Sequence, residues 1–452
     1  MQNEQEAWGI EPVPERLRVL GLGDLTLLWG NLAVSLLVIV AGALLVPALS
    51  LPTALLAVVV GAALGSLMVG AAALIGTDAR VPAMVVLRAP LGRRGSYVPT
   101  ALNVLQCLGW TVFELLIIAT AAAALSDELF GFEARWAWAL VFGAVAIALA
   151  LLGPVGFVRR YMRRFALPAV LGSLVFLTVW SLQDASLGSL WSARGRGGFP
   201  SFWQAVDLVV ASVVSWVPLA ADYTRFARSR RNSFWSGVTG FFLPTVWMFG
   251  LGVLLFLTRD LSDAAQIPAA VAAAGVASVF ALVALTVDES DEAFANVYSG
   301  AVSLQNLLPG VPQRALIALV AAVGTLGALV IDFASYATFL YLLGSFFVPL
   351  LGVLLADWLL AGSHYSSGHI FGGPAVRLEL LAAWLAGFAL YQWLSPVGPA
   401  WWLELLERTR PAPFSFTASV PSFAAAFLLA CLAVTVTRRS VSLGHRADPS
   451  RS

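Results

Sequence analysis

Long apolar runs separated by short polar stretches make up almost the whole chain, and their lengths set the first expectation. A helix needs about twenty residues to cross roughly 30 Å of hydrocarbon. Twelve stretches meet or approach that length: 24–47, 51–76, 99–125, 136–153, 165–182, 202–221, 234–257, 267–305, 315–331, 333–360, 376–394 and 420–436. The ninth and tenth are divided by little more than Asp332. The pattern predicts an all-α polytopic membrane protein with a polar arm over 1–23, one transmembrane domain over 24–437 and a polar tail over 438–452. The arm has no apolar run of the kind a cleavable leader carries, so it is read as a short cytoplasmic arm.

Polar residues inside the apolar runs mark where the spans are more than anchors. Pro218, in Ser215-Trp216-Val217-Pro218-Leu219, removes a backbone hydrogen bond and crowds the preceding turn, so the sixth span is expected to break there. The first span carries a weaker signal, a Gly-Asn pair and a serine in Trp29-Gly30-Asn31-Leu32-Ala33-Val34-Ser35. Broken helices are tolerated at membrane depth where they line a cavity and offer free carbonyl and N–H groups to a ligand. On the third span Asn103, Gln106, Trp110 and Glu114 recur at helical spacing and share one face. On the eighth, Asp288, Glu292, Asn296, Ser299 and Ser303 share a face, with Ser290 and Asp291 to one side.

The run Asp288, Glu289, Asp291 and Glu292 is the sharpest anomaly. Each acid at a bilayer centre costs about 2.5–3.5 kcal/mol, so the run must face water, a cation or a bundle interior. A competing reading ends the eighth helix near Val287 and makes the carboxylates caps of a loop. The renewed apolar stretch 297–304 and the late arrival of Arg314 weigh against it.

Composition agrees with the class, at 60% hydrophobic and 11% charged with a mean hydropathy of +0.86. The net charge of +1 hides an asymmetry. Arg80, Arg88, Arg93 and Arg94 follow the second span, Arg159, Arg160, Arg163 and Arg164 the fourth, and Arg225, Arg228, Arg230 and Arg231 the sixth. Short basic loops stay in the cytoplasm. Arg16 and Arg18 place the N-terminus there, and Arg438, Arg439, Arg446 and Arg451 place the C-terminus there, which requires an even number of spans. The expected location is the plasma membrane, multi-pass, with both termini cytoplasmic. The arginines serve first as topology determinants, with anionic lipid contact a secondary role. Nucleic acid is not implied. Cys107 and Cys431 lie in apolar runs and the three histidines are scattered, so no disulfide framework, zinc site or other cofactor is expected.

Five stretches in order resemble one family, the nucleobase:cation symporters, which include cytosine permeases, hydroxymethylpyrimidine transporters and allantoin or hydantoin carriers. They are Gly9-Ile10-Glu11-Pro12-Val13-Pro14-Glu15, Arg88-Ala89-Pro90-Leu91-Gly92-Arg93-Arg94-Gly95-Ser96, Gly109-Trp110, Ala221-Asp222-Tyr223-Thr224-Arg225-Phe226, and Gly344-Ser345 through Ala356-Asp357-Trp358. The resemblance implies a LeuT-like 5+5 inverted repeat, about 24–182 and 202–360, plus two C-terminal helices over 376–436. It implies a flat heterocycle sandwiched between Trp110 and Trp216, with Glu114, Asn296 and Ser35 reading its edge. It also implies a coupling site for Na+ or H+ at Asn31, Val34, Val287, Ser290 and Asp291, where Asp291 replaces the neutral hydroxyl of sodium-coupled relatives.

Elementary chemistry is compatible with that placement. Two indoles can hold both faces of a planar base at about 1–3 kcal/mol per stacked ring. An ionised carboxylate only accepts, so Glu114 suits an edge rich in N–H donors or, if protonated, a ring nitrogen beside an amine. Cytosine and hydroxymethyl-aminopyrimidine present an amine beside a ring nitrogen; hydantoins and uracil present imides. Relatives that the chain resembles often carry an amide where Glu114 stands, and this departure tilts the expectation toward cytosine or hydroxymethyl-aminopyrimidine, with purine, allantoin, hydantoin or uracil as the alternative. The expected function is a secondary active symporter, importing its heterocycle by alternating access, and not an enzyme. A channel has no need of two midplane tryptophans, and an embedded enzyme lacks a histidine or cysteine to complete its constellation.

Overall fold

The computed structural model describes residues 9–157, 167–183, 185–410 and 414–447, with the side chains of 152–157, 167, 291 and 438–447 outside the described set. The arginines expected to mark the fourth connection lie outside it, as do the side chains of the basic tail.

Seven helices are long and apolar enough to cross a membrane: Leu51–Ala79, Tyr97–Phe130, Phe202–Thr224, Arg230–Thr258, Gln313–Val330, Phe333–Leu360 and Ser419–Thr437. Leu22–Leu32 and Leu36–Ala43 form one further span bent by 55°. Three shorter apolar helices, Arg135–Leu151, Pro168–Leu182 and Leu378–Leu394, join them. With the acid-bearing helix Val276–Leu307 the described residues reach the twelve spans that the hydrophobic pattern predicts.

The spans pack in groups. The first, second, sixth and seventh pack on one another, and so do the third, fourth, eighth and ninth, while the tenth, eleventh and twelfth pack together at one side. Corresponding members of the two halves meet, two on seven, three on eight and four on nine. Small residues make the closest of these contacts possible. A Cβ on Gly61 would lie 2.6 Å from Val209, and one on Gly65 would lie 2.7 Å from Val213, so span two is held against span six at backbone distance.

The breaks differ from expectation in emphasis. The sixth span is interrupted as Pro218 requires, with Phe202–Val214 giving way to a 3₁₀ turn over Val217–Leu219 and then Ala220–Thr224. The sharper break lies in the first span, between Leu32 and Leu36, where the sequence signal is weaker.

The eighth span corrects one expectation and removes the competing reading of its acids. In place of one helix over 267–305, a short helix Ile267–Ala272 precedes a turn at Gly275, whose φ of +108° suits glycine, and the long helix begins at Val276. That helix then runs to Leu307, so the reading that ends it near Val287 as a loop cap is wrong. The physical reason is that its acids face the interior of the bundle rather than a solvated loop. Asp288, Glu289 and Glu292 are only 2%, 1% and 3% exposed.

Part of the polar arm belongs to the packed structure. Val13, Leu17 and Leu20 are buried, and the Val13 and Leu20 amides donate to Arg80 O and Phe226 O at 2.9 and 3.1 Å. The arm is thereby stitched to the connections after spans two and six.

Candidate functional site

The bend in the first span leaves the N–H groups at the start of its second half without helical acceptors. Ser35 caps them, its Oγ accepting from the Leu37 amide at 3.1 Å. The same hydroxyl donates to Glu289 Oε1 at 2.8 Å, and the Leu36 amide donates to Glu289 Oε2 at 2.6 Å. A carboxylate from the eighth span thus occupies the positive end of a half-helix, where an anion is most favourable. Asp288, one residue earlier, lies beside Asn31 at the end of the other half.

The third span presents its polar face to this region, and all four residues of the expected stripe are buried. Gln106 Nε2 donates at 2.6 Å to Ser215 O, a carbonyl at the break in span six. Asn103 Nδ2 donates to Ser303 Oγ at 2.7 Å, so the polar faces of spans three and eight meet as their periodicity requires. Deeper in the same interface Asn296 Nδ2 donates to Glu114 Oε1 at 2.8 Å and to Glu292 O at 3.2 Å.

Trp110 and Trp216 border one narrow cavity, which Glu292, Ser212, Phe241 and Ala33 also line. Trp110 is held edge-on by Tyr336 and Phe339 of the tenth span, at 6.1 and 5.4 Å between ring centres. The glycine before it explains the approach, since a Cβ on Gly109 would lie 2.5 Å from the Phe339 ring. Trp216 rests on Phe241 of the seventh span at 6.1 Å. Trp110 is thus braced by rings outside the cavity lining, whereas Phe241, which contacts Trp216, lines the cavity itself.

The expected site residues are brought together unevenly. Trp110 and Trp216 share the cavity, Glu114 and Asn296 are hydrogen-bonded to each other, and Ser35 sits at the break. Of the expected cation ligands, Asn31, Val34 and Ser290 are buried where spans one and eight approach. Ser290 Oγ donates back to Thr286 O at 3.3 Å. Val287 belongs to an uninterrupted helix and its side chain is 44% exposed, while the Asp291 side chain lies outside the described set. Among the described residues, no group of three or more His, Cys, Asp or Glu side chains is arranged to hold a metal.

Two functional-looking residues escaped the sequence reading. Glu289 falls off the polar face drawn for the eighth span, and the signal that marks its role is the serine cap at Ser35. Arg225 was placed among the topology arginines, yet it is fully buried. Its guanidinium donates to Gly9 O at 2.7 Å, Asp222 O at 3.2 Å and Tyr298 OH at 3.3 Å, and it stacks over Phe226 at 4.8 Å. Asp222 in turn accepts from the Ala83 amide at 2.9 Å. These contacts tie the N-terminal arm and the connection after span two to the end of span six and to span eight.

Two broken spans facing two intact ones around a buried cavity define a multi-pass membrane protein of LeuT-like fold. The family model described as permease for cytosine/purines, uracil, thiamine, allantoin matches residues 12–392, and the chain belongs to that family, one of transporters rather than enzymes. It is 27% identical over 303 residues to the hydantoin permease of Microbacterium maritypicum, a match covering 63% of this chain and 62% of that relative. The match thus spans less than two thirds of the relative's length. In structure the chain is similar to Mhp1, a nucleobase-cation-symport-1 family transporter. Against its closed conformation with bromovinylhydantoin bound, the TM-score is 0.79 at 21% identity, covering 95% of each chain. Against its inward-facing conformation the TM-score is 0.76 at 20% identity, covering 95% of this chain and 94% of the other.

Proposed function

We propose that the protein is a secondary active symporter that imports a flat nucleobase-like heterocycle, coupled to Na+ or H+ by alternating access. The observation that carries this reading is the cavity bordered by Trp110 and Trp216 between two packing groups of helices. A planar ring entering it would be stacked on one indole from each group, so binding would draw the groups together. Glu292 borders the cavity, and the Glu114–Asn296 pair lies one helical turn behind, supplying the polar contacts to the ring's edge. Ser35, between the cavity and Glu289, would join substrate binding to the break in span one.

The expected cargo is an aminopyrimidine such as cytosine or hydroxymethyl-aminopyrimidine, whose ring nitrogen and adjacent amine match an acid that holds its proton, one donor beside one acceptor. A hydantoin is the second reading, favoured by the relative of that name. The coupling cation would sit where spans one and eight meet, among Asn31, Val34, Val287, Ser290 and Asp291, with Glu289 beside it. The protein would work in the plasma membrane with both termini in the cytoplasm. Its two repeats would cover about 24–182 and 202–360, with additional helices over 376–436.

Uptake of labelled cytosine and labelled hydantoin into proteoliposomes under imposed Na+ and pH gradients tests the proposal. A symporter concentrates its substrate above the outside level under one of the gradients and releases it when that gradient is collapsed. Equilibration without concentration would replace the reading with a channel, and a chemically altered product would replace it with an enzyme.

A further inference from the structure

A second polar cavity lies away from the central one, at the end of the third span that faces the arginine-bearing connections. Arg88, Arg93, Arg94, Tyr97 and Ala375 line it, around an empty volume of about 740 Å³. No carboxylate is among the lining residues, and Arg88 and Arg93 are close enough to repel each other. The acid that acts on Arg88 is Glu11 of the N-terminal arm, which is not part of the lining.

The cationic groups sit on a fixed frame. The Arg93 and Arg94 amides donate to Pro374 O and Ala375 O at 3.0 and 2.7 Å, and the Arg377 amide donates back to Leu91 O at 2.9 Å. Arg88 Nε donates to Asn306 Oδ1 at 2.8 Å. The Asn306 amide is itself turned by donating to Thr100 Oγ1 and Ser96 Oγ at 2.8 and 3.2 Å, so its carbonyl is committed to Arg88. Arg88 has five N–H donors and this bond uses one. The Arg88 guanidinium is held this way, Arg93 and Arg94 are anchored through their backbone, and guanidinium groups match the oxygens of a phosphate.

The surroundings say where that phosphate comes from. Starting at the cavity, Tyr97, Ala101 and Leu105 are exposed at one-turn spacing along span three, with Leu105 63% exposed. Leu378, Ala382 and Leu385 form a similar stripe on span eleven, beginning three residues after Ala375. Exposed apolar stripes on spanning helices face lipid. We propose that this cavity binds the phosphate of an anionic phospholipid headgroup, with the acyl chains lying along the two stripes. The site would ground the connection after span two on the bilayer, and it would draw on the leaflet that carries the basic loops.

The test is thermal unfolding of the full-length protein in a neutral detergent, titrated with dioctanoyl phosphatidylglycerol, dioctanoyl phosphatidylcholine or inorganic phosphate. Phosphatidylglycerol should raise Tm saturably, and phosphatidylcholine should not. Arg93→Gln/Arg94→Gln should weaken the phosphatidylglycerol effect roughly thirtyfold, the factor expected for two basic groups at an anionic surface. Its ligand-free Tm should match the parent, because both side chains are exposed. If that variant does not fold, the parent's salt dependence decides, since a headgroup held by arginines must be released at high ionic strength. Equal phosphatidylglycerol affinity in variant and parent, or affinity indifferent to salt, would overturn the site. Equal stabilisation by phosphatidylcholine would remove the charge requirement, and equal stabilisation by inorganic phosphate would make it a free-anion site and overturn the lipid assignment.

Discussion

Glu289 on the eighth span accepts a hydrogen bond from the Ser35 hydroxyl at 2.8 Å, joining two helices that belong to different packing groups. Its second oxygen takes the Leu36 amide, so one buried carboxylate closes the break in the first span from across the group boundary. Any motion that separates the groups has to break or replace these bonds. Coupling between two ligands needs an element with different contacts in two states, and this latch supplies one.

Replacing the latch should therefore damage coupling more than binding. Glu289→Gln keeps the shape but sets an NH2 group against donors, where the native carboxylate only accepts. Hydrogen bonds to charged groups are worth about 1.5–3 kcal/mol, which corresponds to roughly ten- to a hundredfold in an equilibrium. Gradient-driven accumulation in proteoliposomes should fall by about that range while substrate exchange across the membrane persists. Full accumulation in Glu289→Gln would remove the carboxylate from the coupling mechanism.

The tryptophans allow a separate test of substrate placement. Trp110→Ala and Trp216→Ala should each weaken substrate affinity by roughly 5- to 150-fold, the equivalent of about 1–3 kcal/mol of stacking. Trp110→Phe should retain part of it, because Tyr336 and Phe339 still brace an aromatic ring there. Both alanine variants should reach the membrane in normal amounts. Parental affinity in either one would show that no substrate ring stacks on that indole.

Glu114 bears on selectivity. Its Oε1 is committed to Asn296, so Glu114→Gln rearranges a pair rather than deleting a single contact. A site built to hydrogen-bond a ligand group rejects analogues that lack it, by far more than a purely apolar pocket could. Competition of cytosine, uracil and hydantoin against labelled substrate should therefore change rank order in Glu114→Gln. An unaltered order would leave Glu114 a structural partner of Asn296 alone.

How far the sequence carries can be judged from these same residues. The polar stripe Asn103, Gln106, Trp110, Glu114 was legible because helical periodicity alone places it on one face, and its partners across the interface are those that a buried amide or carboxyl needs. The break in span six was legible because proline announces itself. The sharper break in span one was nearly silent, since Ala33 and Val34 carry no breaker and the bend is held by a tertiary contact, the Glu289 carboxylate. Arg225 was misjudged for a related reason. An arginine in a basic loop looks solvated until the arm that supplies Gly9 O is seen to fold over it.

Arg225 carries the last prediction, because its buried guanidinium joins the N-terminal arm to spans six and eight. Removing one member of a buried charge pair costs about 3–5 kcal/mol, and much of that is the penalty of leaving the other charge unpaired. Arg225→Gln removes the cation that acts electrostatically on buried Asp222 and strips the bonds to Asp222 O, Gly9 O and Tyr298 OH. Admitting water relieves the stranded carboxylate, so the population should shift toward conformers open toward the arginine-bearing connections. Cys107 reports this directly. It is fully buried on the third span and lies within electrostatic reach of Asp222. With Cys431→Ser removing the other thiol, a small maleimide should label Cys107 at least about tenfold faster in Arg225→Gln than in the parent, given the size of that penalty. Saturating substrate should slow the labelling again if substrate favours the closed state. Identical labelling rates in variant and parent would mean that Arg225 holds the fold together without controlling access to the cavity.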